Sequence, residues 1–212
     1  MLDLFDDFGA ERRLAEGAVL LRGFALPYED GLLAAVESVT AAAPFRNMVT
    51  PGGFTMSVAM TNCGAGGWVT DRKGYRYTGT DPESGKPWPA LPAPFALLAT
   101  EAASKTGYPD FTPDACLVNR YEPGARMSLH QDKNERDYSQ PIVSVSLGLP
   151  ATFLFGGDER ADRPMKVPLD HGDVVVWGGT SRLRFHGVNP LADGVHPLVG
   201  RRRINLTFRR AL

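Results

Sequence analysis

The chain is poor in cysteine, with only Cys63 and Cys116 among its 212 residues. They lie far apart and form neither a disulfide framework nor a Cys-x-x-Cys zinc pair. Both read as reduced thiols of a cytosolic enzyme. No apolar run approaches the roughly 20 residues that span a bilayer, so no membrane partner is expected. The start, Met-Leu-Asp-Leu-Phe-Asp-Asp, is acidic where a signal peptide would be basic, and a cytoplasmic location is expected. Strong charge of one sign is also missing: the formal net charge is −1, which excludes a general basic coat for nucleic acid. The charge is unevenly placed, because Arg201, Arg202, Arg203, Arg209 and Arg210 crowd the C-terminal end. Repeats and low-complexity tracts are absent. The length suffices for one sizeable core, so a single domain over residues 1–212, acting as a monomer, is expected.

Apolar residues at 32, 33, 36 and 39 give Tyr28 to Ala42 the spacing of an amphipathic helix. Phe95 to Thr106 reads as a second helix, ended by Gly107 and Pro109. Ala18 to Phe24 and Phe54 to Met60 read as strands. From Cys116 onward most segments are strand-like: Cys116 to Tyr121, Ile142 to Leu149, Thr152 to Phe155, Met165 to Leu169, Asp173 to Trp177 and Arg203 to Phe208. The combination predicts an α+β protein, mainly β, with an antiparallel sandwich or barrel and two helices outside it. Asn62 to Pro94 is different, rich in Gly, Pro and aromatics, and reads as a functional surface loop rather than a disordered one.

His130 and Asp132 stand two apart in Ser-Leu-His-Gln-Asp-Lys, and His186 follows in Arg-Phe-His-Gly-Val. In a strand, residues i and i+2 face one side, so the first two could chelate one ion. Two imidazoles and a carboxylate can occupy one face of an octahedral metal and leave positions open for a cosubstrate and O2, as in non-haem Fe(II) oxygenases. His171 and His196 read better as loop residues, and Arg182 to Phe185 as an alternating stretch leading to His186. Arg203 and Arg209, six apart in Arg-Ile-Asn-Leu-Thr-Phe-Arg, share a strand face with Asn205 and Thr207. An inward arginine needs an anion. Two could hold a dicarboxylate through their planar forks, or they could pair structurally with Asp170 or Asp173.

These strings resemble the bacterial AlkB dioxygenases, which remove alkyl groups from nucleic-acid bases. The resemblance runs from Gly67 to Phe208, roughly two-thirds of the chain. It is carried by Gly-Trp-Val-Thr-Asp-Arg-Lys-Gly-Tyr-Arg-Tyr (67–77), Asp-Ala-Cys-Leu-Val-Asn-Arg-Tyr-Glu-Pro-Gly-Ala (114–125), Ser-Leu-His-Gln-Asp-Lys (128–133), Pro-Ile-Val-Ser-Val-Ser-Leu-Gly-Leu-Pro-Ala (141–151), His-Gly-Asp-Val-Val-Val-Trp-Gly-Gly (171–179) and Asn-Leu-Thr-Phe-Arg (205–209).

The resemblance implies a double-stranded β-helix (jelly roll) at about 114–212 with an N-terminal substrate lid at about 50–94. It implies Fe(II) on His130, Asp132 and His186, with 2-oxoglutarate and O2 as cosubstrates. Asn119, Tyr121, Arg203, Asn205 and Arg209 would hold 2-oxoglutarate. Trp68 would stack on a flipped base, with Tyr75, Arg76, Tyr77, Asn134 and Arg160 also on the substrate side. The implied substrates are alkylated DNA, single- or double-stranded, with RNA as a second polymer. Hydroxylation of an N-alkyl carbon would release aldehyde, succinate and CO2. The family has an acid two residues after the iron-binding Asp, where this chain has Asn134. Asn keeps an acceptor, gains a donor and loses the charge that favours a cationic lesion. Two other readings are an oxygenase of the same chemistry acting on protein or a small molecule, and a non-catalytic ligand-binding barrel.

Overall fold

The computed structural model describes residues 9–212; the acidic start, residues 1–8, lies outside the described residues. In chain order the elements are β1 (Glu11–Ala15), β2 (Ala18–Leu21), α1 (Glu29–Ala42), β3 (Arg46–Val49), β4 (Thr55–Gly64), β5 (Gly67–Asp71), β6 (Gly74–Thr78), α2 (Ala93–Lys105), β7 (Ala115–Tyr121) and β8 (Met127–His130). They continue with β9 (Ile142–Gly148), β10 (Ala151–Phe155), β11 (Met165–Leu169), β12 (Val174–Trp177), β13 (His186–Val188) and β14 (Arg203–Arg209). A large antiparallel sheet has the order β1-β2-β12-β9-β14-β7-β4-β3. A smaller one, β11-β10-β13-β8, faces it, and β5 and β6 form a separate hairpin. The two facing sheets are the jelly-roll core. No helix among the described residues is long and apolar enough to cross a membrane.

The period of two along each strand divides the large sheet into two unlike faces. Ile204, Leu206 and Phe208 of β14, Val143, Val145 and Leu147 of β9, and Cys116 and Val118 of β7 pack against the helices. The helices answer with Leu32, Ala35, Val36 and Val39 from α1 and Phe95, Leu98, Ala99, Ala102 and Ala103 from α2. Phe95 meets Phe208 edge-to-face at 5.7 Å between centroids, so Phe95→Ala would open a cavity costing about 3–5 kcal/mol. The opposite face packs Ile142, Val175 and Trp177 on Phe153, Phe155 and Val167 of the small sheet. Toward its middle that face turns polar, with Asn119, Ser144, Ser146, Arg203, Asn205, Thr207 and Arg209 all buried.

Local signals set the helix ends. Glu29 and Asp30 sit in the first turn of α1, where the helix dipole favours acids. After α2, Gly107 takes φ +96°, and the Gly107 and Tyr108 amides donate back to Ser104 and Ala103. This is a Schellman stop, a turn that needs a residue without a Cβ.

Two expectations need correction. Residues 62–94 are not simply loop: β4 runs on to Gly64 as an inner strand of the large sheet, and β5 and β6 pair as a hairpin. Arg182 to Phe185 is no alternating stretch, because a 3-10 turn at Gly179–Ser181 precedes it and the strand starts only at His186. β1, β3, β8 and β13 give no clear sequence signal. β1 is a charged edge strand with only Leu14 buried, and β13 has three residues.

Candidate active site

β8 ends at His130 and β13 begins at His186, and the two residues are register partners in the small sheet. Their rings lie 4.4 Å apart between centroids. Asp132 lies two residues beyond the end of β8, and one ligand atom from each of the three residues falls within 4.8 Å of the others. The Nε2 atoms of His130 and His186 approach Asp132 at 3.7 and 3.8 Å. Their Nδ1 atoms face backbone carbonyls, Ser128 at 2.9 Å and Arg184 at 3.0 Å. A carbonyl can only accept, so each Nδ1 carries the proton and each Nε2 turns a lone pair toward the shared point. Metal-ligating histidines are oriented this way.

Electrostatics keep His186 and Asp132 ready to ligate. Burial, helped by His130 and opposed by Asp132, pushes His186 down to about 4, so it is neutral at pH 7. Burial also works against the Asp132 carboxylate, but Arg209 and the two histidines outweigh it and hold the group below its ordinary range. Arg209 donates to Asp132 Oδ2 through Nε, at 2.9 Å, and through Nη2. Its Nε also lies 3.5 Å from Glu135.

The polar face of the large sheet lines the same pocket as His130 and His186. Arg203 is buried against the Tyr121 ring at 5.1 Å and donates once, from Nη2 to Ser146 Oγ at 2.9 Å. Its Nε and Nη1 have no hydrogen-bond partner among the described residues. An unpaired buried guanidinium is expensive, so these free donors ask for an anion. Asn119 donates to Asn205 at 3.2 Å while its own Oδ1 has no partner among the described residues. Asn205 in turn donates to Ser144 Oγ and to the Val145 carbonyl. Asp173, a partner considered for the arginines, is held instead by Arg22 at 2.6 Å. A metal with an attached dicarboxylate suits this donor set.

The hairpin β5–β6 supplies the aromatic side. Trp68 stacks on Tyr75 at 5.6 Å with 20° between planes, and its Nε1 donates to Asn134 Oδ1 at 3.1 Å. Tyr77 donates to Glu135 at 2.6 Å. Arg76 alternates to the other face and pairs with Asp71 within the hairpin at 2.7 Å, so it is not brought to the pocket. Arg160 donates to the Leu129 carbonyl at 2.7 Å and lies over the Phe185 ring, beside both histidines in sequence. His171 is elsewhere, stacked on His196 at 4.3 Å and bonded to Glu29.

Two residues escaped the sequence. Glu135 and Arg182 pair at 3.1 Å with both side chains almost fully buried, and Arg182 also donates to the Asp132 carbonyl at 2.8 Å. They stand 47 residues apart, so no local spacing marks them. Ser144 and Ser146 were legible in principle, as alternate polar positions in the otherwise apolar run Ile142 to Leu147.

Comparison with known proteins gives a consistent picture. Residues 17–209 match the family model described as the 2OG-Fe(II) oxygenase superfamily. The chain is 58% identical over 212 residues to the alpha-ketoglutarate-dependent dioxygenase AlkB of Salmonella typhimurium and, equally, to that of Escherichia coli K12, covering 100% of this chain and 98% of each relative. Among solved structures, that of OsALKBH1 matches with a TM-score of 0.80 at 30% identity, covering 95% of this chain and 100% of that one.

Proposed function

Because this chain belongs to the 2OG-Fe(II) oxygenase superfamily and to the AlkB family within it, we propose that it removes alkyl groups oxidatively from N-alkylated bases in DNA. RNA is the second polymer to test. It is a 2-oxoglutarate-dependent dioxygenase that uses Fe(II) and O2. The observation that carries the substrate reading is the stacked pair Trp68–Tyr75 joined through Asn134 to the loop that bears Asp132. Base-sized aromatic surface thus adjoins the three candidate metal ligands.

His130, Asp132 and His186 would hold the iron. Asn119, Tyr121, Asn205, Arg203 and Arg209 would hold 2-oxoglutarate, the free Nε and Nη1 of Arg203 taking one carboxylate. Bound together with O2, this group supplies the oxidant that hydroxylates an N-alkyl carbon, with succinate and CO2 as by-products. Arg209 and Arg182 together balance Asp132 and Glu135, so a further carboxylate can enter beside them without net repulsion. A duplex base must leave the stack to reach the triad, and the Trp68 face can hold it there for about 1–3 kcal/mol. Of the region around 50–94, the hairpin is the part that acts as lid, with Tyr77 tied to Glu135. Arg160, held on the Leu129 carbonyl, would lie on the substrate side. The hydroxylated carbon then leaves as aldehyde, and no side chain need act as nucleophile.

The test is succinate release from 2-oxoglutarate with a methylated oligonucleotide, its unmodified twin, or no polymer. Stimulation by the methylated oligonucleotide alone supports the reading. Equal release in all three arms would point to a protein or small-molecule substrate.

A further inference from the structure

Of the three candidate metal ligands, Asp132 alone stands on no strand. His130 and His186 are paired in the ladder of the small sheet. Asp132 belongs to residues 131–141, which join β8 to β9 without helix or strand. The place of its backbone must therefore come from tertiary bonds.

Arg182 supplies them. Its side chain is almost fully buried, and it directs three different nitrogens at this one segment. Nη1 donates to the Asp132 carbonyl at 2.8 Å, Nε to the Gln140 carbonyl at 2.9 Å and Nη2 to Glu135 at 3.1 Å. The guanidinium also lies 5.4 Å from the centre of the Tyr138 ring, and the Tyr138 hydroxyl donates to the Lys133 carbonyl at 2.9 Å. The start, middle and end of the segment are thus gathered on one planar group whose donors have fixed directions. A second bond runs the same way, from Gln131 Nε2 to the Leu183 carbonyl at 2.7 Å.

Arg182 itself lies between the turn at Gly179–Ser181 and the strand that opens at His186. It therefore joins the segment of one candidate ligand to the segment of another. Because its bond to Asp132 is made to the backbone, the carboxylate stays free to face Arg209 and the two histidines. Charge balance with Glu135 explains one of the three bonds and leaves the two carbonyls unexplained. Resting on the reading of His130, Asp132 and His186 as metal ligands, we propose that Arg182 is a positioning residue that sets the Asp132 backbone against His186, so that the three ligand atoms converge. Lysine cannot stand in for it, since one nitrogen on a flexible stem would replace three in a fixed fork.

The test is titration of the metal-free full-length protein with Co(II), reading affinity, stoichiometry and the visible d–d spectrum of the bound ion. Wild type is compared with Arg182→Lys, which keeps the charge beside Glu135, and with Arg182→Gln combined with Glu135→Gln, which leaves neither partner of the buried pair charged. Misfolded protein lowers the number of sites, whereas a displaced ligand weakens the sites that remain, so a merely structural role would not move the Kd. Both variants should bind cobalt with a Kd raised about 10- to 100-fold, the usual cost of removing an outer partner of a metal ligand, and with an altered spectrum. A wild-type Kd and spectrum in the double variant would overturn the proposal. So would a wild-type Kd in Arg182→Lys, because charge balance would then be the whole role. Either result leaves the metal site standing if His130→Ala abolishes cobalt binding. If His130→Ala binds cobalt as tightly as wild type, the reading of the three ligands fails and the proposal with it.

Discussion

Every residue of β14 is buried and the strand is bonded on both edges, to β7 and to β9, whereas β5 and β6 pair only with each other. The floor of the pocket thus has fixed backbone positions, and its arginines keep their places through sheet bonds and Ser146. The hairpin depends on side chains: the Trp68–Tyr75 stack, the Trp68–Asn134 bond and the Tyr77–Glu135 bond. On the proposed reading, cosubstrate chemistry, which is the same for every substrate, would rest on the sheet-bonded part, and substrate choice on the hairpin.

The comparison breaks first at the triad. His130→Ala removes a candidate metal ligand from the end of β8, and turnover should fall to background with metal binding lost, as read by equilibrium dialysis against a divalent metal. Full activity in that variant would exclude the triad. Arg203→Ala should raise the 2-oxoglutarate Kd about thirtyfold or more, the effect of truncating one member of a buried charge pair (about 2–5 kcal/mol). Affinity for oligonucleotide should stay as it was. Unchanged 2-oxoglutarate calorimetry in both Arg203→Ala and Arg209→Ala would make these arginines structural.

Acid offers a third probe, at the metal ligands. His186 is held neutral down to about 4 against an ordinary value of 6.5, so between those pH values the unfolded chain binds the extra proton. The contribution is whole above about 6.5 and is lost as pH falls toward 4, by up to on the order of 3 kcal/mol in metal-free protein. Denaturant midpoints across that window should fall in wild type, and His186→Leu should flatten the slope. An equal slope in both would assign it to other groups. The smallest effect belongs to the hairpin: Trp68→Ala should weaken oligonucleotide binding by about 1–3 kcal/mol and leave the 2-oxoglutarate Kd alone. A joint loss of both affinities would mean that hairpin and floor are one unit.

The same division explains what could be read in advance. β9 and β14 alternate apolar and polar residues because one face meets helices and the other the pocket, and the sequence places their bounds, and those of β7, within about a residue. His130, Asp132 and the arginine pair were legible because each set lies on one strand or its end. The hairpin was not, since its glycines and aromatics suit loops equally well and its support comes from Asn134 and Glu135, far along the chain. Glu135–Arg182 is likewise a pairing of the fold, and neither residue carries a local mark. Spacing ranked His186 first as the third ligand, and the likeness to the AlkB family implied the same residue.

The central claim is that this pocket couples consumption of 2-oxoglutarate to repair of an alkylated base. The direct measurement is a time course on an oligonucleotide with a single methylated base, following repaired base by mass spectrometry and succinate by chromatography in the same tube. One succinate should appear for each base restored, with aldehyde in equal amount, and all three should vanish in His130→Ala. Succinate accumulating while the methylated base persists unchanged would contradict the account.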